Sequence, residues 1–232
     1  MFTVSLIGPD GVGKTTLVSR LQKALPMRVK YIYMGDNIES CNYVLPTTRW
    51  WKKRSLRHRK NVENLKPDSL SNPEKDRDLN LLQKMVRGVR KTVGFSNRIL
   101  DLWYRYFMVV YFARRGYVVL LDRHFAFDYY HFDIKPQNGR RPLKRRLHGF
   151  LLKHTIPDPD LVICLDAPAD VIYKRKGEFT IDYLQNRRDQ YKSLKSVVPN
   201  FVVVDANRKL GTVIEDVSNL ICSFHQERLN HA

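Results

Sequence analysis

The sequence has little cysteine. Its 232 residues hold three, Cys41, Cys164 and Cys222, and no C-x-x-C pair. An odd, scattered set argues against a disulfide framework or a zinc site and fits a reducing compartment, so a cytoplasmic protein is expected. Long apolar runs are missing as well. The longest, Tyr106 to Ala113, is far short of the roughly 20 residues with which a helix crosses a bilayer. The opening residues, MFTVSLIGPD, lack a basic n-region and a small-residue cleavage site, so no secretory signal is expected. Acidic residues are outnumbered: 23 Asp and Glu stand against 41 Lys and Arg, a formal charge of +18. That surplus predicts an anionic partner, whether a nucleotide, a nucleic acid, an anionic membrane surface or an acidic metabolite.

Apolar residues make up 43% of the chain, enough for one full core, and the length predicts a single domain over 1–232. Five short, nearly continuous apolar runs read as strands: Phe2 to Ile7, Val29 to Met34, Tyr117 to Leu121, Leu161 to Leu165 and Phe201 to Val204. Such runs suit a parallel sheet buried on both faces. Helical spacing lies between them, over Thr15 to Leu25, Ile99 to Arg115, Leu143 to His154, Ala169 to Lys174, Phe179 to Val197 and Leu210 to Glu227. Alternating strands and helices predict an α/β sandwich. The stretch 36–97 is different: polar, basic and broken by Pro46, Pro67, Pro73, Gly88 and Gly94. It reads as an insertion, partly helical or mobile, with too little apolar content for a core of its own.

The chemistry begins at Gly8-Pro9-Asp10-Gly11-Val12-Gly13-Lys14-Thr15, which matches G-x-x-x-x-G-K-[ST] between a strand and a helix. Glycines let the backbone N–H groups wrap phosphates at the positive end of a helix. The whole segment Gly8, Asp10, Gly11, Val12, Gly13, Lys14, Thr15 and Thr16 is therefore expected to hold ATP. Lys14 reaches the β- and γ-phosphates, and the Thr15 hydroxyl ligates Mg²⁺. Asp10 carries negative charge inside a phosphate loop, which makes sense if it faces an acceptor hydroxyl or ribose. The third strand ends in Asp122-Arg123-His124, at the edge where open α/β sheets bind ligands. Asp122 is a candidate for Mg²⁺ or for orienting the acceptor, and Arg123 for clamping a phosphate. The basic cluster Lys174, Arg175 and Lys176 before Gly177 reads as a lid over 174–179, where cations meet migrating charge.

On GPDGVGKTTL (8–17), ARRGYVVLLDRH (113–124) and LVICLDAPADVIYKRKGEF (161–179) the chain resembles the thymidylate kinase family of P-loop kinases, over about 1–35 and 98–232. The resemblance implies a three-layer α/β fold with a five-stranded parallel sheet of order 2-3-1-4-5. It implies Mg-ATP as donor and a phosphorylated acceptor. By the same resemblance Lys14 and Thr15 serve ATP and Mg²⁺, Asp10 meets the acceptor sugar, and Asp122 and Arg123 serve the metal and the acceptor phosphate. Arg175 belongs to the lid, and Ala206, Asn207 and Arg208 fall where the family contacts adenine. Arg105 falls near the family's acceptor-binding arginine, about one helical turn off in spacing.

The acceptor half departs from the family. Tyr33-Met34-Gly35-Asp36-Asn37 stands where that family carries an R-x-P-G-type segment, and Phe125-Ala126-Phe127-Asp128-Tyr129-Tyr130 has no Gln to read thymine. A base-reading site needs matched polar groups, so the ATP half is read as retained and the acceptor half as rebuilt. Asp128, Tyr129, Tyr130, His131 and the Gly35–Asn37 segment are its candidate contacts. The acceptor is expected to be small and anionic or sugar-containing: dTMP, another nucleoside monophosphate or a different phosphate-bearing molecule. A second reading is a P-loop ATPase or switch bound to nucleic acid or membrane through the basic tracts 49–60 and 140–146. The apolar helix Ile99 to Arg115 suits either a twin subunit or the core.

Overall fold

The structure, a computed structural model, describes residues 2–35, 37, 40–50, 81–135 and 142–230. Asp36 and most of the basic tract 49–60 lie outside the described residues, as do Arg140 and Arg141 of the second tract. The chain divides into two compact units: Met1–Asn42 with Tyr106–Ala232, and Tyr43–Arg105.

The larger unit holds five strands, β1 (Thr3–Ile7), β2 (Val29–Tyr33), β3 (Val118–Asp122), β4 (Leu161–Asp166) and β5 (Phe201–Asp205). All pair in parallel in the order β2-β3-β1-β4-β5. This is the P-loop kinase arrangement, with helices on both faces. The helices are α1 (Lys14–Ala24), α2 (Leu81–Arg114), α3 (Phe125–Asp128), α4 (Leu143–Thr155), α5 (Ala169–Lys176), α6 (Ile181–Ser193) and α7 (Leu210–Asn230), with a wide π-helical turn at Tyr130–Ile134. The α2 helix passes from one unit into the other. It begins well before Ile99, where apolar spacing first shows, because it runs through Gly88 and Gly94 without a break.

Successive strand residues point to opposite faces, and the core follows that rule. Val4, Leu6, Leu120, Ile163 and Leu165 pack with Leu17 and Leu21 of α1 and with Val213, Val217 and Ile221 of α7. Ile7, Val162 and Cys164 face the other way, onto Phe127, Tyr191 and Leu194. Each fully buried Leu or Ile contributes about 1.5–3 kcal/mol. The central strands are therefore fixed in register, and the chain leaves every strand at the same sheet edge. At the outer edge of β2 the Asn42 side chain substitutes for a missing strand. Its carbonyl accepts from Tyr33 N at 3.2 Å and its amide donates to Tyr31 O at 2.6 Å.

In the smaller unit Asp101 Oδ1 accepts from Leu45 N at 2.9 Å, and Asn97 bonds Thr47 and Thr48. Arg105 is buried and paired with Asp101 one turn earlier.

Candidate functional site

From Ile7 the chain enters a loop whose first position admits no side chain. Gly8 has φ +140°, and a Cβ there would lie 2.4 Å from the Leu165 carbonyl oxygen on β4. Gly13, at φ +104°, opens α1 with nothing within 4 Å of a would-be Cβ. It is needed for backbone shape alone. The first turn of α1 carries no acidic residue, so the positive end of the helix is left open to an anion.

Lys14 is buried, and its Nζ donates to the Gly8 and Pro9 carbonyls at 2.7 Å each. An ammonium has three donors, so one remains for a phosphate oxygen. Burial, helped by the Arg123 charge, lowers its pKa to about 8, against the pull of Asp10, Asp122 and Asp128.

Thr15 is exposed, and its hydroxyl donates to Asp122 Oδ2 at 2.9 Å. Tyr31 OH reaches the same oxygen at 3.3 Å. The other oxygen, Oδ1, is buried without a partner. Asp122 is fully buried at the end of β3. An orphaned carboxylate oxygen costs free energy, and beside a hydroxyl it makes a set of hard oxygen donors. Mg²⁺ takes such oxygens, with only one or two from the protein and the rest from water and phosphate. Thr15 and Asp122 therefore fit this ion. Among the described residues no group of three His, Cys, Asp or Glu side chains is gathered for a metal.

Arg123 follows in the left-handed region at φ +72°, which costs a large residue about 1–3 kcal/mol. The turn is anchored by Arg123 N donating to Leu6 O at 3.0 Å and Met34 N to Asp122 O at 2.9 Å. It aims the guanidinium at Asp10, with which it is paired, and brings it 4.0 Å from Asp128. Gly35 clears its path, since a Cβ there would lie 2.5 Å from Arg123 Cδ. Burial opposes the charge on Arg123, but Asp10 and Asp128 hold it more firmly protonated than usual. Burial likewise works to raise Asp10, and Lys14 and Arg123 overcome it, so this carboxyl stays below its ordinary value.

Asp128 differs. Burial raises its pKa in spite of Arg123, and its Oδ1 accepts from Tyr191 OH at 2.7 Å. Tyr191 accepts in turn from Arg187 Nη2 at 2.8 Å. Tyr129 and His131 take other partners: Tyr129 packs edge-on to His148, and His131 Nε2 lies 3.0 Å from both Gln190 O and Ser193 Oγ. His124 is buried, and desolvation lowers its pKa to about 4.

At the other end of the loop, Arg175 donates to Ala206 O at 3.0 Å and approaches Val12 O at 3.5 Å. It ties α5 to the phosphate loop and to the turn after β5. Lys174 and Lys176 lie outward against Asp170 and Glu178. Gly177 closes α5 at φ +66°, and Thr180 caps α6. Asn207 is exposed with its backbone N–H bonded to Asp205 Oδ1, and Thr16 is exposed on α1.

The structure thus gathers Asp10, Lys14, Thr15, Asp122 and Arg123 at one sheet edge. It adds residues that sequence reasoning missed. Tyr31 bonds Asp122, and Tyr191 with Arg187 orders Asp128. Asp166 ends β4 with Arg188 Nε at 2.8 Å and Lys192 Nζ at 2.6 Å. A signal existed for Arg187 and Tyr191, which stand four apart on one helix face, but their partner is 63 positions away from Tyr191.

No protein-family profile and no curated protein matches the sequence. Among solved structures the chain is similar to deoxyadenosine kinase from M. mycoides, determined with the products dCMP and a flexible dCDP bound. The likeness has a TM-score of 0.53 at 18% identity and covers 95% of this chain and 99% of that one. It establishes the P-loop kinase fold. No described helix is long and apolar enough to cross a membrane.

Proposed function

We propose that this chain is a thymidylate kinase-like phosphotransferase. It moves the γ-phosphoryl group of Mg-ATP to a nucleoside or nucleoside monophosphate, with an acceptor side rebuilt away from thymine. The observation that carries the reading is the Thr15–Asp122 bond beside Lys14, with Asp122 Oδ1 unpartnered and buried. The fold it shares with a deoxyadenosine kinase supports the nucleoside class of acceptor.

Lys14 and the loop amides hold the phosphate tail, and Thr15 and Asp122 would hold Mg²⁺, which when bound would neutralise the negative charge of that tail. Arg123 and Asp10 position the acceptor as a pair. With a nucleoside, Asp10 accepts the proton of the attacking hydroxyl. The new bond joins that oxygen to the γ-phosphorus, and the bond to the β,γ-bridging oxygen breaks, leaving ADP. With a monophosphate no proton need move, and Arg123 meets the phosphate. Arg175 orders the loop and the turn after β5 around the nucleotide. Positioning and charge stabilisation account for most of the rate in such transfers.

ADP release with Mg-ATP across deoxynucleosides, nucleosides, their monophosphates and sugars tests the reading. One acceptor should raise turnover sharply, and Lys14→Met should abolish it. If dTMP proves the best acceptor, the rebuilt site is wrong. If only nucleic acid or anionic vesicles stimulate ATP hydrolysis, the chain is a P-loop ATPase instead.

A further inference from the structure

The α4 helix turns an apolar ridge to solvent. Its sequence, LKRRLHGFLLKHT, holds Lys144, Arg145, Arg146 and Lys153 and no Asp or Glu. The buried residues are His148, Gly149 and Leu152, and this inner face is fixed to the turn Tyr130–Ile134. His148 Nδ1 lies 2.7 Å from Asp133 Oδ2, and a Cβ at Gly149 would collide with the Asp133 carbonyl oxygen. On the opposite face Leu143, Leu147 and Phe150 are 77%, 47% and 59% exposed. Spaced by four and then three, they fall within about 60° of one another at about 100° per residue. An amphipathic helix ordinarily sends such a stripe into the core.

Cations border the ridge. By the same helical count Lys144 falls on one side of it, and Arg146 and Lys153 on the other. Among the described residues none of these three takes part in an ion pair. Arg145 is placed differently, toward Asp133 at 3.9 Å. The outer face of α4 thus joins exposed apolar bulk to unmatched positive charge.

Whatever covers such a face is negative and apolar at once. A second copy of this chain, of formal charge +18, sets the same cations against themselves, and like charges across an interface repel. Nucleic acid meets the charge, but its bases stack on aromatic rings and offer leucine no apolar phase. A bilayer with anionic headgroups supplies phosphates at the level of the cations and acyl chains just below them.

We propose that α4 docks the protein on an anionic phospholipid bilayer. Leu143, Leu147 and Phe150 enter the boundary between headgroups and acyl chains, and Lys144, Arg146 and Lys153 meet lipid phosphates. The helix lies on the surface rather than across it, since 13 residues reach only about 20 Å of a roughly 30 Å hydrocarbon core. This face shares no residue with the phosphate loop, so the proposal does not depend on the kinase reading.

Flotation of the full-length protein with vesicles of phosphatidylcholine alone, and of phosphatidylcholine mixed with phosphatidylglycerol, tests the proposal. Binding should require the anionic lipid. Leu147→Ser with Phe150→Ser should weaken it about tenfold or more, and so should Lys144→Gln, Arg146→Gln and Lys153→Gln together. All five are exposed, so the circular dichroism spectrum should not change; Phe150→Ala alone is a milder variant with the same expected direction. Arg20→Gln, Lys23→Gln and Lys209→Gln together remove three exposed cations on α1 and before α7, helices that pack on each other away from α4. That variant should shift affinity by less than about threefold, which separates a docking face from net charge. Equal binding to phosphatidylcholine alone, undiminished affinity in the ridge variants, an equal loss in the α1 and α7 variant, or no flotation would each overturn the assignment. So would an oligonucleotide that strips the protein from vesicles and itself binds the ridge variant more weakly, or a dimer of the free protein that the ridge variant splits.

Discussion

The Thr15 hydroxyl and the Asp122 carboxylate meet at 2.9 Å although 107 positions separate them in the chain. One residue opens α1 and the other ends β3. They meet because β1 and β3 are neighbours in parallel, with Leu6 level with Asp122. The pair leaves one Asp122 oxygen buried and without a partner, and the expectations for metal use begin from it.

Thr15→Val removes the hydroxyl while keeping the shape. The apparent Mg²⁺ affinity in an activity assay should fall by about 10–100-fold. Thr15→Ser should restore most of it. A Mg²⁺ activation curve that does not move in the valine variant sinks the assignment.

Gly8 and Gly13 separate space from backbone strain. Both have positive φ, but only Gly8 also lacks room, with Leu165 O in the way. Gly8→Ala should destabilise the fold by about 3 kcal/mol or more, and Gly13→Ala by about 1–2 kcal/mol. Urea unfolding of the two variants, side by side, decides whether the order holds.

Lys14 titrates near 8, below its ordinary value, because it is buried near Arg123. In the free protein it loses its charge as pH rises through about 8. Affinity for a triphosphate should then fall, approaching tenfold per pH unit if the neutral lysine contributes nothing. Lys14→Arg should flatten this slope. Binding of an ATP analogue measured from pH 7 to 9.5 provides the check.

Arg123→Gln takes away one of the charges that hold the Asp10 carboxyl low. Lys14 and Lys176 are then left to oppose burial without Arg123, so the Asp10 pKa should rise. If Asp10 must be ionised to meet the acceptor, the acid limb of kcat/KM should move to higher pH in this variant. The rate should also fall about 10²-fold or more, as expected when a charged positioning group is lost. An acid limb that stays in place would falsify the coupling.

His124 is held near 4 from an ordinary 6.5 by burial. The sign follows from proton binding. Between those two values the unfolded chain binds more protons than the folded one, so stability rises with pH through that window and is lost as pH falls through it. The displacement corresponds to about 3 kcal/mol. His124→Gln should flatten the stability profile between pH 6.5 and 4 in guanidinium unfolding. An unchanged slope would show that other groups set acid stability.

Much of this protein is legible in the sequence, because the relevant forces are local or periodic. The five apolar runs fix the strands, and the P-loop spacing fixes where a strand must hand over to a helix. Gly8 and Gly13 declare a backbone that only glycine adopts without strain. Other features escaped for equally physical reasons. Gly88 and Gly94 read as punctuation, yet α2 runs through both, since an isolated glycine costs a helix only about 1 kcal/mol. The short α3 helix and the π-helical turn carry no period long enough to register. The pairing of Tyr191 with Asp128, and of Arg188 and Lys192 with Asp166, joins residues whose closeness depends on how α6 lies against the sheet. The sequence by itself determined the order of elements and the phosphate loop. Only the tertiary structure decided which distant carboxylates share a cation, which oxygen is left without a partner, and that His124 is buried. Charge pairing and burial act through space, and no spacing along a chain encodes a distance across a sheet.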